Sequence, residues 1–142
     1  MPLDFILSQT DGRPMYLQIM EQIKQRITSG DWPLGAKLPS IRELAVAAKV
    51  SVITVKRAYQ ELEAEGVIVT QPGRGSFVAE IENLSNHLKE EEMDKHLKQA
   101  IAIAQSLGLN IKQIQQRLET LQAAEENQQT TKSNSSTEVS HD

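Results

Sequence analysis

The sequence predicts a mainly α-helical fold with one small β-hairpin, followed by a short two-helix appendage. Three observations lead there. Apolar residues recur at helical spacing in three successive segments before Gly66, the period then changes to two short β-prone runs around a Pro/Gly-rich tip, and helical spacing returns beyond residue 83.

Residues 1–12 read as an irregular lead-in. From Pro14 onward Tyr16, Ile19, Met20, Ile23 and Ile27 fall on one helix face, with Pro14 suited to a first turn and Gly30 placed to end the helix. A turn follows, Asp31-Trp32-Pro33-Leu34-Gly35, whose single tryptophan is expected to pack over that helix. Ser40-Ile41-Arg42-Glu43 is a capping-box pattern, and Pro39 disfavours extending the helix upstream. The second helix is therefore short, to about Ala48. Lys49-Val50 turns the chain and Ser51 caps a third helix, whose buried face is Val55, Ala58, Tyr59 and Leu62 and whose end is Gly66.

Val67 to Thr70 and Ser76 to Ala79 are the two β-prone runs, joined by Gln71-Pro72-Gly73-Arg74-Gly75. Three helices with a tight turn before the third, then a hairpin, is the order of a winged helix-turn-helix domain, expected over residues 1–80. Residues 81–125 form the appendage, with Leu84, Leu88, Leu97, Ile101 and Ala104 at helical spacing, a break at Gly108, and Asn110 capping a last helix that carries Ile111, Ile114, Leu118 and Leu121. Two such helices are too small to bury both apolar faces alone, so residues 84–125 are expected to pair with a second copy of the chain. Residues 126–142 are polar and low in complexity and are expected to be disordered.

Composition narrows the function. The chain has 142 residues and no cysteine, which excludes disulfides, thiolate metal sites and cysteine nucleophiles. No run approaches a membrane span and no signal pattern opens the chain, so a cytoplasmic protein is expected. The net charge of −4 hides a division: residues 1–80 balance nine cations against nine anions, whereas residues 81–142 set six against ten. Between Ala36 and Arg57, Lys37, Arg42, Lys49, Lys56 and Arg57 face only Glu43. Local charge is what a phosphate backbone responds to within a Debye length of about 8–10 Å.

The third helix then offers a groove its first residues, Ser51, Val52, Ile53 and Thr54, with Lys56 and Arg57 behind them. Ser51 and Thr54 have hydroxyls for phosphates; Lys56 and Arg57 reach phosphates or bases. Val52 and Ile53 are apolar where a helix usually meets water, and in a major groove they match thymine methyl groups, unless one of them packs inward. Arg42, in the first turn of the second helix, has the guanidinium fork for a phosphate or a guanine. Gly73 lets the hairpin tip approach a backbone closely, and Arg74 beside it suits a narrow A·T-rich minor groove.

The run Gly35-Ala36-Lys37-Leu38-Pro39-Ser40-Ile41-Arg42-Glu43-Leu44-Ala45 resembles the signature of the GntR family of transcriptional regulators. The likeness continues through Val50-Ser51, residues 54–59, Leu62-Glu63, Glu65-Gly66 and residues 73–78, and Pro14 to Ile19 is similar to its short YtrA-like subfamily. The resemblance covers about residues 12–80. It implies a dimeric repressor that binds a near-palindromic double-stranded operator through Arg42, the start of the third helix and the wing tip, with no enzymatic activity and no cofactor. The short subfamily often governs transport genes. Many members place an arginine directly after the serine of the Val-Ser pair; here Val52 stands there, so the family's usual operator does not transfer.

Two other readings compete with DNA binding by a repressor: a winged helix used to dock a protein, and a regulator switched by a small ligand at the dimer interface. An enzyme finds no support. His87 and His96 are not at metal-binding spacing on one helix face, Glu90 to Glu92 is a charged surface run, and Gly73-x-Gly75 is a turn between strands rather than a phosphate loop.

Overall fold

All five helices and the hairpin are present in the computed structural model, which describes residues 4–8 and 12–138, with side chains as far as residue 130. In chain order they are α1 (Met15–Thr28), α2 (Ile41–Ala48), α3 (Val52–Ala64), β1 (Ile68–Gln71), β2 (Gly75–Val78), α4 (Leu84–Ser106) and α5 (Ile111–Glu138). The local signals act where they stand in the sequence. Ser40 caps α2 by accepting from the Glu43 amide at 3.1 Å. Gly30 and Gly66 take positive φ just past α1 and α3, as residues after a helix end do.

The chain divides into two compact units, Met1–Glu92 and Met93–Asp142. The first is organised around Ile19, Ile23, Leu44, Val55, Leu62, Ile68 and Val78, all fully buried, drawn from α1, α2, α3 and both strands. Each such side chain contributes about 1.5–3 kcal/mol relative to exposure. Trp32 packs against this core as expected, with the Arg26 guanidinium 5.6 Å from its ring centre.

The hairpin is antiparallel, with Ile68 opposite Val78 and Gln71 opposite Gly75. It gains a third strand-like segment that the sequence did not announce. Leu38 N donates to Ser76 O and Val78 N to Ala36 O, both at 2.8 Å, and Lys37 bridges to Phe77. The wing is thereby sewn to the segment that leads into α2.

Two expectations change, and the lead-in gains an anchor. Phe5 of the lead-in is buried, and Gln18, itself buried, pins that lead-in by exchanging hydrogen bonds with Ser8 N and O at 2.8 Å each. Leu84 and Leu88 are buried in the core of the first unit, so the opening turns of α4 finish that core instead of waiting for a partner. Residues 126–138, expected to be disordered, continue α5 as helix to Glu138. No Gly or Pro follows Gly108 to break the helix, so α5 runs on through residues whose own propensity for it is low. Residues 139–142 lie outside the described residues.

In the second unit Gly108 (φ 72°) ends α4, and Asn110 and Gln113 form a reciprocal capping box for α5, both bonds at 2.9 Å. Ala104 is buried, whereas Leu97 and Ile101 are each 38% exposed and Leu107 is 70% exposed.

Candidate nucleic-acid interface

The turn between α2 and α3 sets the geometry of the interface. Lys49 takes a left-handed conformation (φ 57°, ψ 46°) to close α2, a strained choice for a residue with a side chain. Ser51 then caps α3 by accepting from the Thr54 amide at 3.2 Å, and the two hydroxyls lie 2.8 Å apart. One hydroxyl proton is used between them, so the pair keeps one for a partner rather than two. Tyr59 fixes the helices to each other: its hydroxyl donates to Pro39 O at 2.7 Å, across the entry to α2. Burial pushes its ionisation well above the usual phenol range, with Glu43 adding to the effect. The phenol stays protonated.

Val52 and Ile53 both face outward, at 46% and 79% exposure; neither packs inward. Ile53 is the most open apolar residue at the start of α3. Lys56 is exposed beside it. Arg57 is directed elsewhere, with its guanidinium 3.9 Å from the centre of the Tyr16 ring at the start of α1. A cation over an aromatic face at that distance is attracted by the ring quadrupole. Arg57 is thus held at the edge of α3, a contact that helical spacing cannot foretell because Tyr16 lies on another helix.

Arg42 is exposed in the first turn of α2. One turn on, Val46 is 79% exposed on the same face, an apolar residue that the sequence reading left out. Its signal was available: it stands four residues after Arg42.

Arg74 is carried separately, on the hairpin. Its amide donates to Gln71 O at 2.9 Å to close the turn, and Gly73 (φ 75°) and Gly75 (φ 118°) supply backbone that side chains rarely adopt. The arginine is exposed at the tip.

Ion pairs engage two cations of α1 and its approach. Lys24 pairs with Glu65 at 2.7 Å and Glu91 at 3.6 Å, and Arg13 pairs with Glu21 at 2.5 Å. Lys37, Arg42, Lys49, Lys56 and Arg74 have no carboxylate at ion-pair distance among the described residues. Unpaired cations on α2, α3 and the wing suit a polyanion. Among the described residues no group of three His, Asp or Glu side chains is placed to hold a metal, and no helix is long and apolar enough to cross a membrane.

Comparison with known proteins gives a consistent answer. Residues 15–78 match the model of the bacterial regulatory proteins of the gntR family. The chain is 34% identical over 109 residues to the uncharacterized HTH-type transcriptional regulator YhcF of Bacillus subtilis, covering 77% of this chain and 90% of that one. It is 37% identical over 113 residues to the HTH-type transcriptional repressor YtrA of the same organism, covering 78% and 85%. Among solved structures, a GntR family transcriptional regulator from Listeria monocytogenes superposes with a TM-score of 0.66 at 32% identity, covering 78% of this chain and 96% of that one.

Proposed function

The chain belongs to the gntR family of bacterial regulatory proteins and is a DNA-binding transcriptional regulator, not an enzyme, and from this premise we propose that it works as a homodimeric repressor of the YtrA-like kind. The observation that carries the proposal is the set of unpaired cations around an outward-facing helix start. Arg42, Lys56 and the spare hydroxyl of the Ser51–Thr54 pair bind phosphates or base edges, Val52 and Ile53 meet thymine methyl groups, and Arg74, presented by Gly73, enters the adjacent minor groove. Arg57 joins them only by leaving Tyr16, and so acts at the margin of the contact.

The dimer forms through residues 84–125, with its apolar contacts beginning at Met93 because Leu84 and Leu88 are already buried. Met93, Leu97 and Ile101 recur every four residues on α4, and Ile111, Ile114, Leu118 and Leu121 follow at alternating three- and four-residue spacing on α5. Both are seams that a second helical surface would cover. Two-fold symmetry then places two recognition helices one or more DNA turns apart, on a near-palindromic operator. The repressor name of YtrA from Bacillus subtilis supports repression: a dimer seated on an operator excludes polymerase. Transport genes are the first targets to examine, and the cytoplasm is where such a protein works.

Selection of genomic DNA fragments by the full-length protein, repeated with Arg42→Ala, tests the reading. One near-palindromic site, lost in the variant, is the expected result. No enrichment at low salt would contradict it. Recovered sites with only G·C pairs opposite the start of α3 would remove the thymine contacts of Val52 and Ile53.

A further inference from the structure

Lys37 lies in the third, unannounced segment of the wing. Leu38, the next residue, is 3% exposed and belongs to the core. Neighbours along an extended segment point to opposite faces, so Lys37 stands on the outer face of the wing, bridged to Phe77 and exposed. Its side chain runs toward the hairpin tip: a Cβ placed on Gly75 would lie 3.1 Å from Lys37 Cε and 3.9 Å from its Nζ. The φ of 118° at Gly75 is one that residues with side chains rarely adopt, and the missing Cβ leaves the lane in which the lysine stem lies. The ammonium is therefore delivered beside Gly75, adjacent in the chain to Arg74. Neither cation has a carboxylate partner among the described residues.

We infer that Lys37 is a DNA-contacting residue of the wing, binding a phosphodiester beside the hairpin tip while Arg74 reaches into the groove. An ammonium is a compact point charge that suits a phosphate oxygen and reads no base, whereas the guanidinium fork of Arg74 suits base edges or a narrow groove. Lys37 thus anchors the wing without choosing the sequence. The inference rests on the DNA interface described above.

Fluorescence anisotropy of the full-length protein, on a selected operator and on a scrambled duplex across 50–200 mM salt, tests it. Lys37→Met keeps the stem over Gly75 and removes only the charge. The dependence of log affinity on log salt should become shallower by about one for the loss of one phosphate contact, equally on both duplexes. Lys37→Arg should restore it. An unchanged slope in Lys37→Met, with its thermal midpoint preserved, overturns the inference and leaves the interface standing. A loss confined to the operator also overturns it, because the residue would then be reading sequence. A wild-type protein whose binding ignores salt overturns the interface itself, before Lys37 is at issue.

Discussion

The two units of this chain put the apolar residues of their helices to opposite uses. In Met1–Glu92, three helices, a sheet and the start of α4 surround one core, and seven large apolar side chains are less than 2% exposed. In the second unit Met93, Leu97, Ile101, Ile103, Leu107, Ile111, Leu118 and Leu121 remain 38–70% exposed. An amphipathic stripe specifies that a helix will bury one face but not against what. Where enough elements converge, the chain closes its own core; along the second unit the apolar side chains stay exposed.

The largest effect should come from the first unit. Leu62→Ala removes a fully buried side chain and should cost about 2–5 kcal/mol, read as a lower thermal midpoint that does not depend on protein concentration. Leu118→Asp should leave that midpoint nearly unchanged in the dilute protein. It should weaken self-association by about 2 kcal/mol, or roughly thirty-fold, seen by size-exclusion chromatography with light scattering. If Leu118→Asp instead unfolds the first unit, the contrast between the units collapses.

Helix caps sharpen the same comparison at smaller cost. Ser40→Ala and Asn110→Ala each remove a side-chain cap worth about 1 kcal/mol. The first should lower the stability of the winged domain by that amount in urea titration. The second should appear as weaker self-association with the winged domain untouched. Tyr59 gives an effect of similar size with a pH signature. Its phenol ionises at higher pH when folded than when unfolded, so the stability it contributes is complete below about pH 10 and is lost as pH rises from there toward the folded value. Tyr59→Phe should cost about 1 kcal/mol at neutral pH through the lost bond to Pro39 O, and should remove part of the alkaline decline. Equilibrium unfolding at pH 8 and pH 11 would measure both.

What was legible in the sequence follows from how far each interaction reaches. Ser40, Ser51 and Asn110 announce helix starts because a cap acts within three residues, and Gly66 and Gly73 announce ends and turns because φ is a local property. The buried face of α3 was legible from periodicity, whereas the outward placement of both Val52 and Ile53 was not. Phe5 was not, because a lone aromatic in an aperiodic lead-in carries no spacing. Leu84 and Leu88 were read as appendage because their pattern does not say which core they complete. The diversion of Arg57 depends on Tyr16 and the placement of Lys37 on Phe77 and Gly75, all distant in sequence. The extension of α5 escaped because a polar run signals the absence of a buried face, which is not the absence of a helix.

The central claim is that two copies of this chain, joined through their open helical faces, hold one operator. Sedimentation equilibrium of the full-length protein mixed with a duplex recovered by genomic selection addresses it most directly. The account expects two chains per duplex, reduced to weak single-chain binding by Leu118→Asp. One chain per duplex at full affinity, unchanged by that substitution, would contradict it.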